Sequence, residues 1–404
     1  MRIAGIIAEY NPFHNGHLLL TQAARRAGAE AVVAVMGGNW LQRGGPALFP
    51  KEVRARAALL SGVDLVVELP LPYAAATAER FARGGVALLL GLGCVELLAF
   101  GSEHGEIAPL ERCAAALADP RLDGEIKGFL SRGLPYAAAR QRGVAALFGE
   151  ETAAPLSRPN DILGVQYLRE LARLGGGLRP FTIPRQGAGH HDAGPCPGGE
   201  EGIPTASASW LRGRLLAGGW EDAAPCLPEG SRKVIQEAWK KGQRADPARL
   251  ELPLLAALRR MGREDFARLP DVSEGLENRL ATAVKGSAGL EQLLDRAVTK
   301  RYPRARLRRV LLSAFLGVPP EMSAAPPPYL RVLGMGPWGA EVLARAKRTA
   351  TLPLSHSLAR LERTGDRAAA FAALESRSTD LYNLLYPVPR PCGTDYETPL
   401  IRIK

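Results

Sequence analysis

Two histidines three residues apart, His14 and His17, lie in the sequence Asn-Pro-Phe-His-Asn-Gly-His at residues 11–17. An apolar run precedes this segment and a helical pattern follows it, so both imidazoles are expected at a helix N-terminus, where anions are stabilised. Gly16 allows a ligand to approach the backbone closely. Imidazole donors strengthen their hydrogen bonds as charge moves onto a leaving phosphate. The segment predicts nucleotide phosphate binding; the alternative is that His14 caps the helix and His17 packs beneath it.

A second candidate anion site is the sequence Ser-Ala-Ser-Trp-Leu-Arg at residues 207–212. Small hydroxyl residues before an apolar helical run are typical of a helix N-terminus. Hydroxyls and free amides there, followed one turn later by Arg212, can cradle a triphosphate. Serine at a helix start is usually only a cap, so this prediction depends on the pairing of Ser207 and Ser209 with the histidine segment.

The elements that would position these residues alternate between short apolar runs and helical patterns. Strands are predicted at residues 2–8, 31–36, 65–69, 95–100 and 178–183, and helices at 18–26, 52–60 and 77–90. This alternation predicts an α/β fold with a parallel sheet. Because ligands of such sheets bind beyond the carboxyl ends of the strands, the segments that follow the strands are expected to line the site.

Helical patterns dominate the second half of the chain, and strand-like runs almost vanish after about Gly218. We therefore predict an α/β catalytic domain at residues 1–217, followed by a basic helical domain at residues 218–404. The Gly- and Pro-rich loop at residues 186–204 has no role that the sequence assigns.

Composition limits the class of protein. The chain has 404 residues, of which 46% are hydrophobic and 23% charged, ordinary values for a globular protein. A net charge of +11 favours a polyanionic partner. The five cysteines are scattered and never spaced as C-x-x-C, which predicts a reducing, cytoplasmic setting and no metal site. Neither a signal peptide nor an apolar run long enough to cross a bilayer is visible, so no membrane association is expected.

The motifs together resemble a known group of enzymes. A His-x-Gly-His after the first strand and a serine-rich helix start with a trailing Arg resemble the nucleotidylyltransferase superfamily, whose Rossmann-like domains attack the α-phosphorus of a nucleotide while pyrophosphate leaves. Residues 5–18 resemble, more narrowly, the opening of the bacterial tRNA(Met) cytidine acetate ligases. The resemblance continues in order at residues 38–44, 64–70, 100–103, 158–164 and 398–401.

This resemblance implies an enzyme that forms acetyl-adenylate from ATP and acetate, then acetylates N4 of the wobble cytidine of elongator tRNA(Met). His14, His17 and Arg212 are the expected catalytic residues, with magnesium carried on the triphosphate. Ser207 and Ser209 join the expected ATP site from the residue pattern. The resemblance itself implies an ATP site formed by Ile7, Ala8, Glu9, Tyr10, Asn11, Pro12, Phe13, His14, Asn15, Gly16, His17, Leu18, Leu19, Leu20, Gly101, Asn160 and Arg185. One departure is His190-His191-Asp192, which stands where Tyr-His-Asp is common.

Two further pairs of residues are candidates for the site. Asn39 and Arg43, in the loop after the second strand, are expected to hold the acetate or the cytidine; the alternative is an ordinary Gly-rich turn. Glu103 and His104 are a candidate acid–base pair, although adjacent side chains usually point apart.

The densest positive run of the chain lies at residues 300–309. Such a run usually forms a solvated helix face, but in this basic chain we predict that it follows RNA phosphates while Tyr302 stacks on a base. The cations expected to contact tRNA are Lys300, Arg301, Arg304, Arg306 and Arg308.

Two other functions remain open from the residues alone. One is a small-molecule adenylyltransferase that never binds RNA, which would leave the basic helical half unexplained. The other is a non-catalytic RNA-binding protein with a vestigial nucleotide pocket, against which the intact His14, His17 and Arg212 argue. The sequence also leaves open how acetate is selected and whether the chain forms homo-oligomers.

Overall fold

The computed structural model describes residues 1–185, 194, 202–273 and 275–404. The sequence His190-His191-Asp192 lies outside the described residues. The strands are β1 (Ile3–Ala8), β2 (Ala31–Gly37), β3 (Trp40–Leu41), β4 (Gly45–Pro46), β5 (Leu65–Leu69), β6 (Leu97–Ser102), β7 (Arg179–Pro184), β8 (Leu330–Met335), β9 (Leu354–Ser355) and β10 (Ile401–Arg402).

The helices surround this sheet and fill most of the C-terminal half. They are α1 (Asn15–Arg26), α2 (Lys51–Leu59), α3 (Leu71–Ala74), α4 (Ala78–Leu92), α5 (Ile107–Ala116), α6 (Leu122–Ser131), α7 (Tyr136–Phe148), α8 (Glu150–Ala153), α9 (Pro159–Arg173), α10 (Ala208–Leu216), α11 (Trp220–Ala223), α12 (Glu229–Lys240), α13 (Glu251–Arg259), α14 (Arg263–Ala267), α15 (Leu276–Lys285), α16 (Leu290–Ala297), α17 (Arg304–Leu316), α18 (Gly339–Thr349), α19 (Leu358–Glu362), α20 (Asp366–Asn383) and α21 (Thr394–Glu397). Among the described helices, none is long and apolar enough to span a membrane.

Parallel strands form the part of the sheet that matters for function. Five of them pair in parallel in the order β5-β2-β1-β6-β7. This is the doubly wound order, in which the chain builds outward from β1 on one side and then returns to build on the other. The topological switch point therefore lies between β1 and β6, and the crevice beyond their carboxyl ends is the expected ligand site.

Alternating residues of the buried strands face two different cores, which places helices on both faces of the sheet. Ile3 and Ile7 of β1 pack in one core with residues of α4 and α9. Ala4 and Ile6 pack in another with residues of α1. The predicted α/β fold with a parallel sheet is confirmed.

The C-terminal half also contributes to this sheet. β8 pairs antiparallel with β5, and β9 and β10 pair with β8, so that eight strands of the described chain form one mixed sheet. The C-terminal half is mainly helical, as expected, but the sequence did not predict the three short strands that it adds to the sheet. The physical reason is Arg331, a buried charge at the second position of β8, which makes the segment look unlike a buried strand in the sequence.

A buried charge network explains how Arg331 is tolerated. Its guanidinium lies 2.9 Å from Glu68 Oε2 and 2.8 Å from Asp395 Oδ1. The Lys51 ammonium lies 2.7 Å from Glu68 Oε1 and 2.8 Å from Asp395 Oδ1. All four side chains are buried, so the two cations and the two carboxylates compensate one another's charge. The network fastens β8 and α21 to β5 and α2.

Helices α10, α11 and α12 form a small core of their own against residues 48–49. This core includes Leu215 before the predicted boundary and Ile235 after it, so α10 packs with α12. The division of the chain into functional units at residues 217 and 218 stays a prediction.

Candidate active site

The loop that follows β1 is held in place by a buried arginine. Arg54 of α2 donates from Nη1 to Glu9 O at 2.5 Å and Gly37 O at 3.0 Å, and from Nε to Phe49 O at 2.9 Å. These carbonyls belong to the loop that leaves β1, to the last residue of β2 and to the segment before α2, and Arg54 Nη2 also donates to Gly38 O in the loop that leaves β2. One guanidinium therefore fixes two loops at the carboxyl ends of the strands, where ligands are expected.

His14 is the N-cap of α1, and its ring determines the local geometry. Its Nδ1 accepts a hydrogen bond from Gly16 N at 3.1 Å, while His17 Nδ1 accepts one from His14 N at 3.2 Å. An ideal Cβ on Gly16 would lie 3.0 Å from His14 Cε1, so a side chain at this position would crowd the ring. The glycine of the His-x-Gly-His motif thus leaves room for the first imidazole.

These hydrogen bonds define which nitrogen of each ring carries the proton. Because Nδ1 of both His14 and His17 accepts from a backbone amide, the neutral rings carry hydrogen on Nε2. The ring centroids are 3.8 Å apart and the planes are inclined by 30°. Tyr10 packs edge-on against His17 at 4.9 Å and helps to fix its orientation. The pair therefore presents two Nε2–H donors.

The surroundings keep both imidazoles neutral. Burial, with Arg185 and Arg212 nearby, lowers the pKa of His14 to about 3. Burial, His14 and Arg185 lower the pKa of His17 well below its ordinary value. Neutral rings at neutral pH act as hydrogen-bond donors and not as cations, and the arginines supply the positive charge.

Arg212 and Ser209 of α10 lie against the histidine segment. Arg212 Nη1 donates to Asn11 O at 2.9 Å, and its Nη2 donates to Ser209 Oγ at 3.1 Å. Arg43, exposed in the loop between β3 and β4, donates to the same Ser209 Oγ at 2.9 Å. Ser207 is the N-cap of α10, and its Oγ accepts from Trp210 N. The two segments that the sequence predicted to bind phosphates are therefore in contact.

The carboxyl end of β6 meets the N-terminus of α9. Asn160 Nδ2 donates to Glu103 Oε1 at 2.6 Å, and Arg185 Nη1 donates to Asn160 Oδ1 at 2.9 Å. Asp161 N donates to Glu103 Oε2 at 2.8 Å, while Asp161 Oδ1 accepts from Glu103 N at 2.7 Å. These exchanged hydrogen bonds fix the side-chain amide of Asn160. An ideal Cβ on Gly101 would lie 3.3 Å from Arg185 Cγ, so Gly101 makes room for the arginine stem.

Glu103 does not act with His104 as the sequence suggested. Its carboxylate accepts hydrogen bonds from the first turn of α9, which lower its pKa against the opposing effect of burial. His104 instead has its Nδ1 3.8 Å from Asp161 Oδ2. The acid–base pairing of Glu103 with His104 is therefore wrong, because the carboxylate is already used as a helix cap.

Other members of the expected ATP segment serve the fold through their side chains. Asn15 Nδ2 donates to the carbonyls of Pro204 and Pro225 at 2.7 and 3.0 Å. The buried apolar members Ile7, Phe13, Leu19 and Leu20 lie in the cores or pack beside them. Their contribution to a nucleotide site would come from the backbone.

Asn39 is buried, and the structure gives its side chain internal partners. Its Oδ1 accepts from Lys51 N at 2.8 Å, and its Nδ2 lies 3.4 Å from Thr379 Oγ1. The predicted contact of Asn39 with acetate or cytidine stays a prediction, and its visible function is to hold the start of α2.

The basic run is partly neutralised. Arg304 forms ion pairs with Glu291 and Asp295, Arg308 lies 3.3 Å from Glu291, and Arg306 donates to Asp271 O at 2.9 Å. Lys300 and Arg301 are exposed. Tyr302 is only 7% exposed and packs in the helical core. The prediction that Tyr302 stacks on a base is therefore wrong, because its ring is already covered.

The site lies at the carboxyl ends of β1 and β6, with two imidazole donors at a helix N-terminus and two arginines close enough to lower the pKa of His14. That combination of fold and site defines a nucleotidyltransferase-type protein. The sequence profile described as HIGH Nucleotidyl Transferase matches residues 1–395.

Comparison with known proteins narrows this class. A tRNA(Met) cytidine acetate ligase from Syntrophotalea carbinolica is 42% identical over 96% of this chain and 95% of its own length. The enzyme of the same name from Bacillus subtilis is 33% identical over 98% of this chain and 95% of its own length. The crystal structure of Thermotoga maritima TmcAL bound with alpha-thio ATP has a TM-score of 0.91 at 29% identity, covering all of both chains. The chain belongs to the tRNA(Met) cytidine acetate ligase family.

Sequence reasoning missed one residue that shapes this site, Arg54, and gave another, Glu103, the wrong role. The local pattern places Arg54 only within a helix, although its guanidinium holds the loops after β1 and β2. The sequence suggested Glu103 as an acid–base partner of His104, whereas the structure shows it as the acceptor at the N-terminus of α9. The role of Glu103 as a helix cap could have been predicted from the helix start at Pro159-Asn160. The amides of a helix N-terminus need an acceptor, and Glu103 directly follows a neighbouring strand.

Proposed function

We propose that this protein uses ATP to join acetate to the wobble cytidine of elongator tRNA(Met). The observation that supports it most strongly is the pair of neutral Nε2–H donors on His14 and His17, with the charges of Arg185 and Arg212 close by. Neutral donors and fixed arginines suit a reaction in which negative charge moves between phosphate groups and no side chain has to accept a proton.

In the first step an acetate oxygen attacks the α-phosphorus of ATP. A bond forms between that oxygen and phosphorus, and the bond to the β-phosphate breaks with its electron pair leaving on pyrophosphate. Acetate is already a nucleophile, so the step needs alignment and charge neutralisation more than a base. His14 and His17 donate to the phosphates, and Arg212 with Arg185 balances the departing charge.

Magnesium is proposed to enter bound to the triphosphate. Within the described residues, no three His, Cys, Asp or Glu side chains converge as a metal cage. Magnesium commonly keeps several waters and binds through substrate phosphates rather than through a cage of protein ligands. Magnesium would supply further positive charge on the departing pyrophosphate.

In the second step N4 of the cytidine attacks the carbonyl carbon of acetyl-adenylate. The new carbon–nitrogen bond replaces the bond to the AMP oxygen, and AMP leaves with that electron pair. N4 loses one proton to solvent or to the departing phosphate. The product is N4-acetylcytidine in the tRNA.

Contacts between the basic run and the ATP site support a tRNA substrate. The backbone of α17 packs so tightly on Gly44 that an ideal Cβ there would lie 2.7 Å from Arg308 C. Gly44 follows Arg43, which donates to Ser209 Oγ. Arg308 in the second turn of the basic helix therefore packs against the hairpin that carries Arg43. We place the enzyme in the cytoplasm, where its tRNA substrate is made.

Incorporation of labelled acetate into elongator tRNA(Met) tests the proposal. We expect ATP-dependent labelling of the transcript with release of AMP and pyrophosphate, and no labelling of a transcript whose wobble cytidine is replaced by uridine. Transfer of AMP to a small acceptor without acetylation of tRNA would instead support a small-molecule adenylyltransferase.

A further inference from the structure

A cavity of about 130 Å³ opens between α10, α11 and α12. Its lining consists of Leu215, Gly218, Trp220, Gln236, Trp239 and Lys240. Both indoles are partly buried against the small core of these helices, which fixes their positions. The volume is below that of an ordinary ligand pocket, so it suits a single ring better than a whole nucleotide.

Two cations, Arg244 and Lys240, lie beside the aromatic residues of this cavity. The Arg244 guanidinium lies 3.9 Å from the centroid of the Trp239 ring, and its Nη1 donates to Trp239 O at 3.1 Å. Arg244 is not itself among the residues that line the cavity. Lys240 is exposed at the rim. Three nearby carboxylates are held in the ion pairs Arg214–Asp222, Lys233–Glu229 and Lys241–Glu237, while Glu221, next to Trp220, is exposed.

Hydrogen bonds tie these helices to the histidine segment. Ser231 Oγ of α12 donates to Phe13 O at 2.7 Å, and Asn15 Nδ2 donates to Pro225 O at 3.0 Å. On α10, Leu215 at the cavity follows Arg212 by three residues, a rise of about 4.5 Å along the helix axis. The cavity is thus held at a fixed position close to the proposed ATP site.

We propose that this cavity binds one unstacked base of the single-stranded loop that carries the reacting cytidine. Single-stranded RNA is recognised by stacking its bases on aromatic rings while cations contact the neighbouring phosphates. Trp220 and Trp239 supply the rings, and Lys240 and Arg244 supply the cations. Anchoring one base there holds the loop so that the neighbouring cytidine faces the adenylate. This inference rests on the proposed function, because it assumes that RNA is the substrate.

The test uses the full-length protein, the elongator tRNA(Met) transcript, and variants that separate stacking from packing. Trp220→Leu and Trp239→Leu are expected to weaken tRNA binding about tenfold, since base–aromatic stacking contributes about 1–3 kcal/mol per base. Phe at either position keeps an aromatic face and should recover most of that affinity. Trp338→Leu is the matched control, because Trp338 is 52% exposed and is not part of the cavity lining.

A plug variant tests the cavity without altering the indoles. Gln236 is exposed at the rim, so Gln236→Trp should fill the space and weaken tRNA binding by a similar factor. Acetate-dependent exchange of pyrophosphate into ATP, measured without tRNA, is expected to stay close to that of the unmodified protein, because the stacking lost in this variant involves only the RNA.

The outcomes distinguish this inference from the proposed function. Unchanged tRNA affinity in the plug and leucine variants would overturn the inference while leaving the acetylation reaction intact. Equal losses in the Phe and Leu variants would also overturn it, because packing would then explain the effect. A plug variant that alters sedimentation but not tRNA affinity would assign the cavity to a protein partner instead. Failure of the unmodified protein to bind tRNA would contradict the proposed function itself.

Discussion

Asn160 donates its side-chain amide to the carboxylate of Glu103 at 2.6 Å and accepts from Arg185 on its other side at 2.9 Å. Glu103 also accepts the backbone amides of Asn160 and Asp161. The orientation of Asn160, and through it that of Arg185, therefore depends on a carboxylate one strand away. Glu103 is a positioning residue for the proposed ATP site.

This relationship predicts coupled effects on ATP binding. Glu103→Gln replaces one acceptor oxygen by a donor and should weaken ATP binding about tenfold, since hydrogen bonds to charged groups contribute about 1.5–3 kcal/mol. In a double-mutant cycle with Asn160→Ala, we expect a coupling of more than about 0.5 kcal/mol, whereas Glu103→Gln and Arg212→Ala should be nearly additive. Titration of ATP by calorimetry gives the four affinities.

The exposed Glu106, three residues further on, is the matched control for Glu103. Glu106→Gln should leave ATP affinity unchanged. Additive losses for Glu103→Gln and Asn160→Ala would show that Glu103 acts on ATP by another route.

The depressed pKa of His14 predicts a specific dependence of stability on pH. Its pKa is about 3 in the folded protein and close to 6.5 when the chain is unfolded. Between these two pH values the unfolded state binds a proton at His14 that the folded state does not. The contribution of His14 therefore lowers the free energy of unfolding as pH falls below about 6.5, by at most about 1.4 kcal/mol per pH unit. His14→Asn keeps an N-cap acceptor but removes this titration.

Urea unfolding of the ligand-free protein near neutral pH and about two units lower measures the effect. Both proteins share the titration of their carboxylates, so only the difference in acid sensitivity is informative. The His14→Asn variant should lose less stability on acidification. Equal losses in the two proteins would mean that His14 is not buried in its neutral form.

The basic run predicts a change in the salt dependence of tRNA binding. Replacing the exposed residues Lys300, Arg301 and Arg308 together by Gln should weaken binding and flatten the slope of log affinity against log salt, by about 0.7–0.9 for each phosphate that the variant no longer neutralises. Arg304→Gln should have a smaller effect, because its guanidinium is already paired with Glu291 and Asp295.

An equal change of charge elsewhere serves as the control for this experiment. Arg112, Lys127 and Arg142 are exposed residues of α5, α6 and α7. Their joint replacement by Gln should leave the slope unchanged. A slope altered equally by both sets would place no RNA contact at the basic run.

The buried network predicts a large loss of stability when one charge is removed. Lys51→Met leaves Glu68 and Asp395 with Arg331 as their remaining partner, and breaking such a network costs about 3–5 kcal/mol. Lys233→Met breaks an exposed pair with Glu229 and should cause no measurable change in the urea midpoint. A Lys51→Met variant as stable as the parent would show that the network contributes little.

Local patterns in the sequence are enough to predict the parallel part of the fold. They predict β5 without error, and the other four parallel strands to within one or two residues. Buried strands and amphipathic helices carry their own periodicity, so no distant partner is needed to recognise them. The His-x-Gly-His motif can be placed at the carboxyl end of β1 because the strand before it and the helix after it are both recognisable in the sequence.

The features that the sequence did not reveal depend on partners far along the chain. β8 contains Arg331, which is compatible with a buried strand only because Glu68 and Asp395 meet it across the fold. The charged neighbours of Tyr302 favour a surface position, yet its ring packs inward. Glu103 caps α9 across 57 residues, a contact that spacing alone does not disclose.

The central claim is that His14 and His17 hold the phosphates of ATP while acetate displaces pyrophosphate. Acetate-dependent exchange of labelled pyrophosphate into ATP, measured without tRNA, tests it most directly. We predict exchange that requires acetate and falls by about 10²–10³ in His17→Ala, the loss expected for one charge-stabilising donor, while tRNA binding persists. Folded protein that binds tRNA but shows no exchange, or exchange unaffected by His17→Ala, would contradict the account.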